Sequence, residues 1–217
     1  MSNQKPEDKE TSKVKAHYRE GIRLFQEGKY EQAITEYKKA LAIAPQHIKA
    51  RNNLGIVYDR EGNFEKAVRE FKIVIQMAPG CVEAYCNLGA TYAERGLFDE
   101  AIAELKKAMK IDPKNGELHF NLGAVYFKKG LYSQAVPELE KAIYLSPNHS
   151  EGQFYLAKAY YMSEMQEKAI DAYKKLIKNY PNYRKAYWYL GMLYSKANMA
   201  EKAREMFKKA NQPEGEG

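Results

Sequence analysis

A period of 34 residues is the feature of this sequence that most constrains its fold. Proline recurs at this interval, and small residues recur in the same register before each proline. The proline column is Pro45, Pro79, Pro113, Pro147 and Pro181, and the alanine column is Ala33, Ala67, Ala101, Ala135, Ala169 and Ala203. A fixed period of this length indicates an array of similar supersecondary units, each burying its apolar face against its neighbours.

Six units follow when the repeats are counted so that these prolines fall at position 32. The units are residues 14–47, 48–81, 82–115, 116–149, 150–183 and 184–217. Within the third unit, apolar and small residues form two stripes with the spacing of one helix face. The first stripe is Tyr85, Leu88, Gly89 and Tyr92, and the second is Phe98, Ala101, Leu105 and Ala108. Each unit is therefore predicted to be two helices joined by a short turn.

A residue suited to the left-handed backbone conformation lies between the two stripes of most units. Glycine has this place in the first four units, at Gly28, Gly62, Gly96 and Gly130. Asn198 can end a helix in the same way, whereas Glu164 does so at a higher free-energy cost because its Cβ crowds the backbone. The proline near the end of each unit has no amide to donate, so it ends the second helix.

These columns resemble the tetratricopeptide repeat (TPR) family, and the resemblance covers about residues 14–213. It implies an all-α fold, a right-handed superhelical solenoid of six helix–turn–helix units with a concave groove. The solenoid then occupies residues 14–211. The flanking segments 1–13 and 212–217 are polar, and we predict that both are disordered.

The composition favours a globular cytoplasmic protein. Hydrophobic residues make up 45% of the sequence, and no window has the uncharged apolar length needed to cross a bilayer. The N-terminal residues lack the apolar core of a secretory signal. Two cysteines, Cys81 and Cys86, favour a reducing compartment over a disulfide framework. We expect a cytoplasmic location, with peripheral association to a membrane or organelle as an open alternative.

No constellation of catalytic or metal-binding residues is evident. The four histidines lie at repeat edges and at the start of first helices, without the spacing of a zinc site. No Gly-Lys-Ser/Thr sequence follows the glycines to hold a phosphate. The carboxylates are scattered without a pairing that suggests acid–base chemistry. We predict that the protein is not an enzyme and that it has no cofactor and no metal ion.

The TPR resemblance implies that the ligand surface is built from first-helix positions 2, 5, 6, 9, 12 and 13. Position 6 is asparagine in three successive units, at Asn53, Asn87 and Asn121. An Asn amide is both a donor and an acceptor, so a row of them can bind an extended backbone whatever its side chains. The alternative is that each Asn only hydrogen-bonds a neighbouring helix.

The same positions in the C-terminal half are mostly aromatic. They are Phe120, Phe127, Phe154, Tyr155, Tyr161, Trp188 and Tyr189, with Lys158 and Lys185 nearby as cations. Exposed aromatic side chains of this kind are typical anchors for the apolar side chains of a partner. The alternative is that several of them belong to the core between repeats.

The chaperone-binding TPR proteins provide a test of one specific partner, a C-terminal carboxylate held by lysine, asparagine and arginine side chains. The corresponding positions of the first three units are Tyr18, Ile22, Asn53, Glu83 and Asn87. Asparagine alone matches, and Glu83 would repel a carboxylate. A chaperone C-terminus is therefore not expected as a partner.

Three hypotheses for the function remain. The first is an adaptor or scaffold that binds a protein or peptide segment in the concave groove. The second is a self-assembling scaffold on a cytoplasmic membrane or organelle surface. It is suggested by a resemblance in length, repeat count and the Ala135-Val136-Pro137 sequence to magnetosome-associated TPR scaffolds.

The third hypothesis is that lysines on the convex side bind nucleic acid or an anionic surface. Lysine pairs recur in the second helices, as at Lys38-Lys39 and Lys106-Lys107. Glu36 and Glu104, three residues earlier, have the spacing of helix-stabilising ion pairs, which favours a paired and solvated face. Nucleic acid is therefore the less favoured partner.

Overall fold

The structure, a computed structural model, describes residues 6–212, and it describes side-chain surroundings from residue 11 onward. All regular structure in this part of the chain is α-helical, in twelve helices. The helices are α1 (Pro6–Gln26), α2 (Tyr30–Ile43), α3 (Ile48–Arg60), α4 (Phe64–Met77), α5 (Val82–Glu94), α6 (Phe98–Ile111), α7 (Gly116–Lys128), α8 (Tyr132–Leu145), α9 (Ser150–Met162), α10 (Gln166–Asn179), α11 (Arg184–Lys196) and α12 (Ala200–Ala210). The predicted all-α fold, with two helices in each of six repeat units, is confirmed.

The start of the first helix differs from the sequence-based expectation. Residues 1–13 were expected to be disordered, but α1 begins at Pro6. Proline is favourable at the first position of a helix because its fixed φ suits the helix and its missing amide would be unpaired there. Residues 1–5 lie outside the described part, and so do residues 213–217 of the segment 212–217 that was expected to be a disordered tail.

The helices form two compact units, residues 1–113 and 114–217. In the first unit the antiparallel pairs α1–α2, α3–α4 and α5–α6 stack in order, and the first helices α1, α3 and α5 contact one another in succession. In the second unit the pairs are α7–α8, α9–α10 and α11–α12, and α7 contacts α9. First helices therefore lie side by side within each unit, which brings their equivalent positions onto one face.

Small side chains allow the two helices of a pair to pack closely. The alanine column is fully buried from Ala33 to Ala169. A Cβ added to Gly55 would lie 2.6 Å from a ring carbon of Phe71 on the partner helix, inside van der Waals contact. The alanine column and the close approach at Gly55 thus mark the contact line between paired helices.

The turns within the repeats have the left-handed conformation that the sequence predicts. The four glycines at this place have φ between 73° and 82°. Glu164 and Asn198 take the same conformation with φ of 60° and 58°, and they are the non-glycine residues with positive φ in the described part of the chain. Position within the repeat therefore dictates this conformation even where glutamate must adopt it.

No helix between residues 6 and 212 combines the length and apolar character needed to span a membrane.

Candidate partner-binding surface

The seven aromatic residues predicted for the binding surface lie on the three first helices of the second unit. On α9, Lys158 follows Phe154 by four residues and Tyr155 by three, and Tyr161 follows Lys158 by three, so these side chains neighbour Lys158 on the helix surface. Helix α7 contributes Phe120 and Phe127, and α11 contributes Trp188 and Tyr189. Ring contacts then join these three helices.

Tyr155 connects α7 to α9. The centroid of its ring lies 5.7 Å from that of Phe120, 5.5 Å from that of Phe127 and 6.3 Å from that of Phe154, all with edge-to-face geometry. This arrangement is the one that aromatic quadrupoles favour. Tyr155 is half-buried, so part of its ring remains on the surface.

Tyr189 connects α9 to α11 in the same way. Its ring centroid lies 5.7 Å from those of Phe154 and Tyr161 and 5.1 Å from that of Trp188. The contacts therefore form a continuous series from α7 to α11. We call the partly exposed members of this series, Phe127, Tyr155, Tyr161, Trp188 and Tyr189, the aromatic surface.

Burial separates two of the predicted site residues from the rest. Phe120 is 9% exposed and Phe154 is 7% exposed, so both belong to the core beneath the aromatic surface. This is the alternative that the sequence left open, and for these two residues the structure favours it. Trp188, in contrast, is 44% exposed, which is unusual for so large an apolar side chain.

Lys158 lies among the rings of the aromatic surface. Its Nζ is 5.1 Å from the ring centroid of Phe127 and 5.6 Å from that of Tyr189, within cation–π range of both. Lys158 is half-buried, and within residues 11–212 it makes no hydrogen bond or ion pair with a carboxylate. Lys185 is exposed on α11 and makes no such contact within this part of the chain either.

A buried tyrosine on α10 supports the aromatic surface from behind. The ring of Tyr173 stacks on that of Tyr189 at 5.6 Å with an interplanar angle of 4°. Tyr173 is fully buried, and its hydroxyl has no hydrogen-bond partner. Burial raises the pKa of this hydroxyl, since the phenolate would lose its solvation.

Sequence reasoning missed three residues that adjoin these rings. Tyr183 lies 5.2 Å from Phe154, Tyr132 lies 5.2 Å from Phe127, and the His149 ring lies 4.5 Å from Phe120, all between ring centroids. Tyr183 and His149 are the residues just before α11 and α9, at the same position of adjacent repeats. Their shared position in the repeat could have identified them. It was not considered, because the sequence-based search included only residues with helical spacing.

The asparagines of the first unit use their amides internally. Asn53 Nδ2 lies 3.4 Å from the hydroxyl of Tyr37 and 3.5 Å from that of Tyr18. Asn87 Nδ2 donates to Asn52 Oδ1 at 3.2 Å. These contacts match the alternative in which asparagine hydrogen-bonds a neighbouring helix.

Asn52 forms the centre of this hydrogen-bond network. It is 3% exposed, and its Nδ2 donates to Glu83 Oε1 at 2.9 Å. Asn121, on α7 of the second unit, is half-buried and makes no side-chain hydrogen bond within the described residues. A binding role for Asn53, Asn87 and Asn121 stays a prediction.

Several lysines of the second helices are paired. Lys39 Nζ donates to Glu36 Oε1 at 2.7 Å, and Lys107 Nζ donates to Glu104 Oε1 at 2.8 Å. Lys141 instead lies 5.5 Å from the ring centroid of Tyr144. The two ion pairs with glutamate reduce the free positive charge on the second helices.

Within residues 11–212, no group of three or more His, Cys, Asp or Glu side chains is placed to hold a metal ion. Neither Cys81 nor Cys86 forms a disulfide bond in this part of the chain. What the surface offers a ligand is aromatic faces and an ammonium group.

Family models match the chain in consecutive blocks. A model described as "TPR repeat" matches residues 21–62 and 91–130. Models described as "Tetratricopeptide repeat" match residues 48–81, 116–149, 151–183 and 185–212. Together these segments include part of every repeat unit.

Solved structures of other proteins are similar to this chain. A crystal structure of MamA is 32% identical, with a TM-score of 0.68, over 72% of this chain and 92% of that chain. MamA from Desulfovibrio magneticus RS-1 is 26% identical, with a TM-score of 0.70, over 75% and 92% of the two chains.

A third structure shows similarity of fold alone. PilF of Pseudomonas aeruginosa is 21% identical, with a TM-score of 0.79, over 91% of this chain and 90% of that chain. A search of curated protein sequences found no significant match.

Proposed function

Because the chain belongs to the tetratricopeptide repeat family, we propose that it is a non-catalytic interaction scaffold that binds a segment of a partner protein on the aromatic surface. The observation that carries the proposal is the continuous series of ring contacts from α7 to α11, which passes through the buried ring of Phe154 and leaves the rings of the aromatic surface partly exposed. The partner segment lies across these three helices in extended or helical form.

The energetics of anchor residues support this assignment. Micromolar affinity corresponds to a binding free energy of about −8 kcal/mol. Interface tyrosines and tryptophans that enter well-packed contacts each cost about 2 kcal/mol or more when truncated. A few members of the aromatic surface can therefore supply the affinity of a regulated interaction.

The first unit is the less suitable place for the partner. Asn53 and Asn87 already donate to side chains of neighbouring helices. A partner backbone would have to compete with these hydrogen bonds or use the remaining acceptor oxygens. The proposal therefore places binding on the second unit.

The test is a pull-down from the native cell extract with matched variants. Tyr155→Asn with Tyr189→Asn replaces the two position-6 rings of the aromatic surface with the residue found at the same position of earlier repeats. Tyr144→Asn is the control, because Tyr144 is 78% exposed on α8, a second helix. Circular dichroism must first show that all three proteins are equally helical.

We expect a partner that the wild type and the Tyr144→Asn control capture and the double variant loses. A partner retained by the double variant would contradict binding on the aromatic surface. High salt provides a further test, since binding that disappears at moderate salt would favour nucleic acid or an anionic surface held by the lysines.

A second candidate function is self-assembly into a scaffold, and the 32% identity to MamA favours it. The last repeat exposes Trp188, Met192 and Met199, which another copy could cover. The proposed setting is the cytoplasm, including the surface of a membrane or organelle. Light scattering over a range of concentrations tests this candidate, and a monomer at all concentrations would contradict it.

A further inference from the structure

Lys158 is a positive charge on a surface that is otherwise aromatic. Its ammonium group lies between the rings of Phe127, on α7, and Tyr189, on α11. Cation–π contacts hold this group in place, but they do not neutralise its charge. Lys158 therefore stands at the centre of the aromatic surface as a fixed cation.

The nearest acidic residue on the same helix face is remote from Lys158. Glu151 precedes it by seven residues on α9, which is about 10 Å along the helix axis. Glu117, at the equivalent place on α7, lies 3.7 Å from the imidazole Nε2 of His149. Within residues 11–212, neither carboxylate pairs with Lys158.

The charge of the second unit points to an anionic ligand. Residues 114–217 contain 16 Lys and Arg against 11 Asp and Glu, an excess of +5 out of the +7 of the whole chain. Lys185 adds a second exposed ammonium group on α11, three residues before Trp188. Complementary charge of this kind steers a partner and selects among partners.

We propose that the partner segment contains an aspartate or glutamate flanked on both sides by apolar residues, and that its carboxylate binds Lys158 Nζ. The inference rests on the function proposed above and identifies the chemistry of the partner. The flanking apolar side chains contact Phe127 and Tyr155 on one side and Tyr161, Trp188 and Tyr189 on the other.

The position of Lys158 favours a side-chain carboxylate over a chain terminus. Rings lie on both sides of its ammonium group, so a terminal carboxylate there would leave one half of the aromatic surface uncovered. A phosphate also carries more acceptor oxygens and more negative charge than one lysine can satisfy. A single ammonium group on an apolar surface suits a single Asp or Glu side chain.

The test selects ligands from random peptides. A phage library displays random segments inside a loop of a carrier protein, so no free carboxyl terminus is presented. The full chain is used as bait in four forms: wild type, Lys158→Met, Lys158→Glu and Lys174→Glu. Methionine keeps a flexible apolar side chain against the rings, and Lys174→Glu makes the same charge reversal at an exposed place on α10, a second helix outside the aromatic surface.

We expect the wild type and Lys174→Glu to enrich segments with Asp or Glu between apolar residues. Lys158→Met should enrich apolar segments without an acidic preference, and Lys158→Glu should enrich Lys or Arg at the central place. A synthetic peptide from the wild-type pool should bind about ten-fold more weakly when its acidic residue becomes the corresponding amide. With Lys158→Met this difference should vanish.

The outcomes separate the two proposals. Apolar segments enriched without an acidic residue by the wild type would overturn the role of Lys158 and leave the aromatic surface as the binding site. An acidic preference that Lys158→Met retains would also overturn it. If the wild type enriches no peptide, both proposals fail. A peptide that binds only with a free C-terminus would assign a terminal carboxylate to this place instead.

Discussion

At position 6 of the repeat, Asn53 and Asn87 turn their amides toward neighbouring helices, whereas Tyr155 and Tyr189 leave ring surface exposed. The first pair belongs to residues 1–113 and the second to residues 114–217. The same position of one helical hairpin thus makes internal hydrogen bonds in one unit and leaves aromatic ring surface exposed in the other. The residue at position 6 can therefore change from one repeat to another while the residues that pack the paired helices together stay the same.

The tyrosines that pack against position 6 show how the exchange of asparagine for tyrosine affects stability. Tyr37 and Tyr173 occupy the same place in the second helices of their repeats. The hydroxyl of Tyr37 has Asn53 Nδ2 within 3.4 Å. The ring of Tyr173 instead stacks on that of Tyr189, and its hydroxyl has no partner. A buried hydroxyl without a partner is unfavourable, so the second unit gives up some stability for its exposed rings.

The largest expected effect comes from making the second unit resemble the first. Tyr189→Asn removes a central ring of the aromatic surface, and its new amide can reach the hydroxyl of Tyr173 as Asn53 reaches Tyr37. We expect a partner peptide to bind about 30-fold more weakly, from the typical 2 kcal/mol of an anchor residue. Isothermal titration calorimetry measures this change.

Asn53→Ala is the control, and it should leave the affinity of the same peptide unchanged within experimental error. An equal loss of affinity in both variants would mean that the two units share the binding function.

The next effect is on stability in the first unit. Asn52→Ala removes the acceptor for Asn87 and the donor to Glu83 at a buried position. We expect a loss of about 2 kcal/mol in the free energy of unfolding, because the remaining polar groups lose partners. Asn121→Ala, which breaks no side-chain hydrogen bond, should change it by less than about 0.5 kcal/mol. Urea unfolding followed by circular dichroism compares the two, and equal losses would contradict a structural role specific to the first unit.

Substitutions in the turns within the repeats should have an effect of intermediate size on stability. Glu164→Gly should stabilise the chain by about 1 kcal/mol, because glycine adopts a positive φ without the crowding of a Cβ. Gly62→Ala, at the same place in the first unit, should destabilise it by a similar amount. Thermal unfolding measures both changes. A destabilising Glu164→Gly would show that the glutamate side chain stabilises its turn by other contacts.

The smallest effect concerns the two buried hydroxyls. Tyr37→Phe loses a long hydrogen bond and should cost about 0.5 kcal/mol. Tyr173→Phe removes an unpaired hydroxyl and should be neutral or stabilise the chain by a similar amount. Opposite signs in urea unfolding would confirm the difference between the units, and equal losses would contradict it.

The helical hairpins were predictable because their signals are local. The spacing of Leu88 and Gly89, the glycine turns and the proline column each depend on a few neighbouring residues. Even the left-handed turn at Glu164 followed from its place in the repeat. The same register located the first-helix face on which the aromatic surface lies.

The division of that face into core and surface was not predictable from spacing. Phe154 and Tyr155 are adjacent in the sequence, yet one is buried and the other is partly exposed. Their difference depends on how α9 is rotated against α10 and α11, which neither residue determines alone. Tyr183 was missed because it lies before α11, outside any helical stripe.

The exchange of asparagine for tyrosine at position 6 also requires only a small genetic change. Codons for the two amino acids differ only in their first base, so one point mutation in a duplicated repeat converts an amide into a ring. The stacked, unpaired hydroxyl of Tyr173 shows that the hairpin accepts this change without rebuilding its core. Repeat duplication followed by single-base substitutions is therefore enough to give one stretch of such a chain exposed aromatic rings while another stretch has amides at the same position.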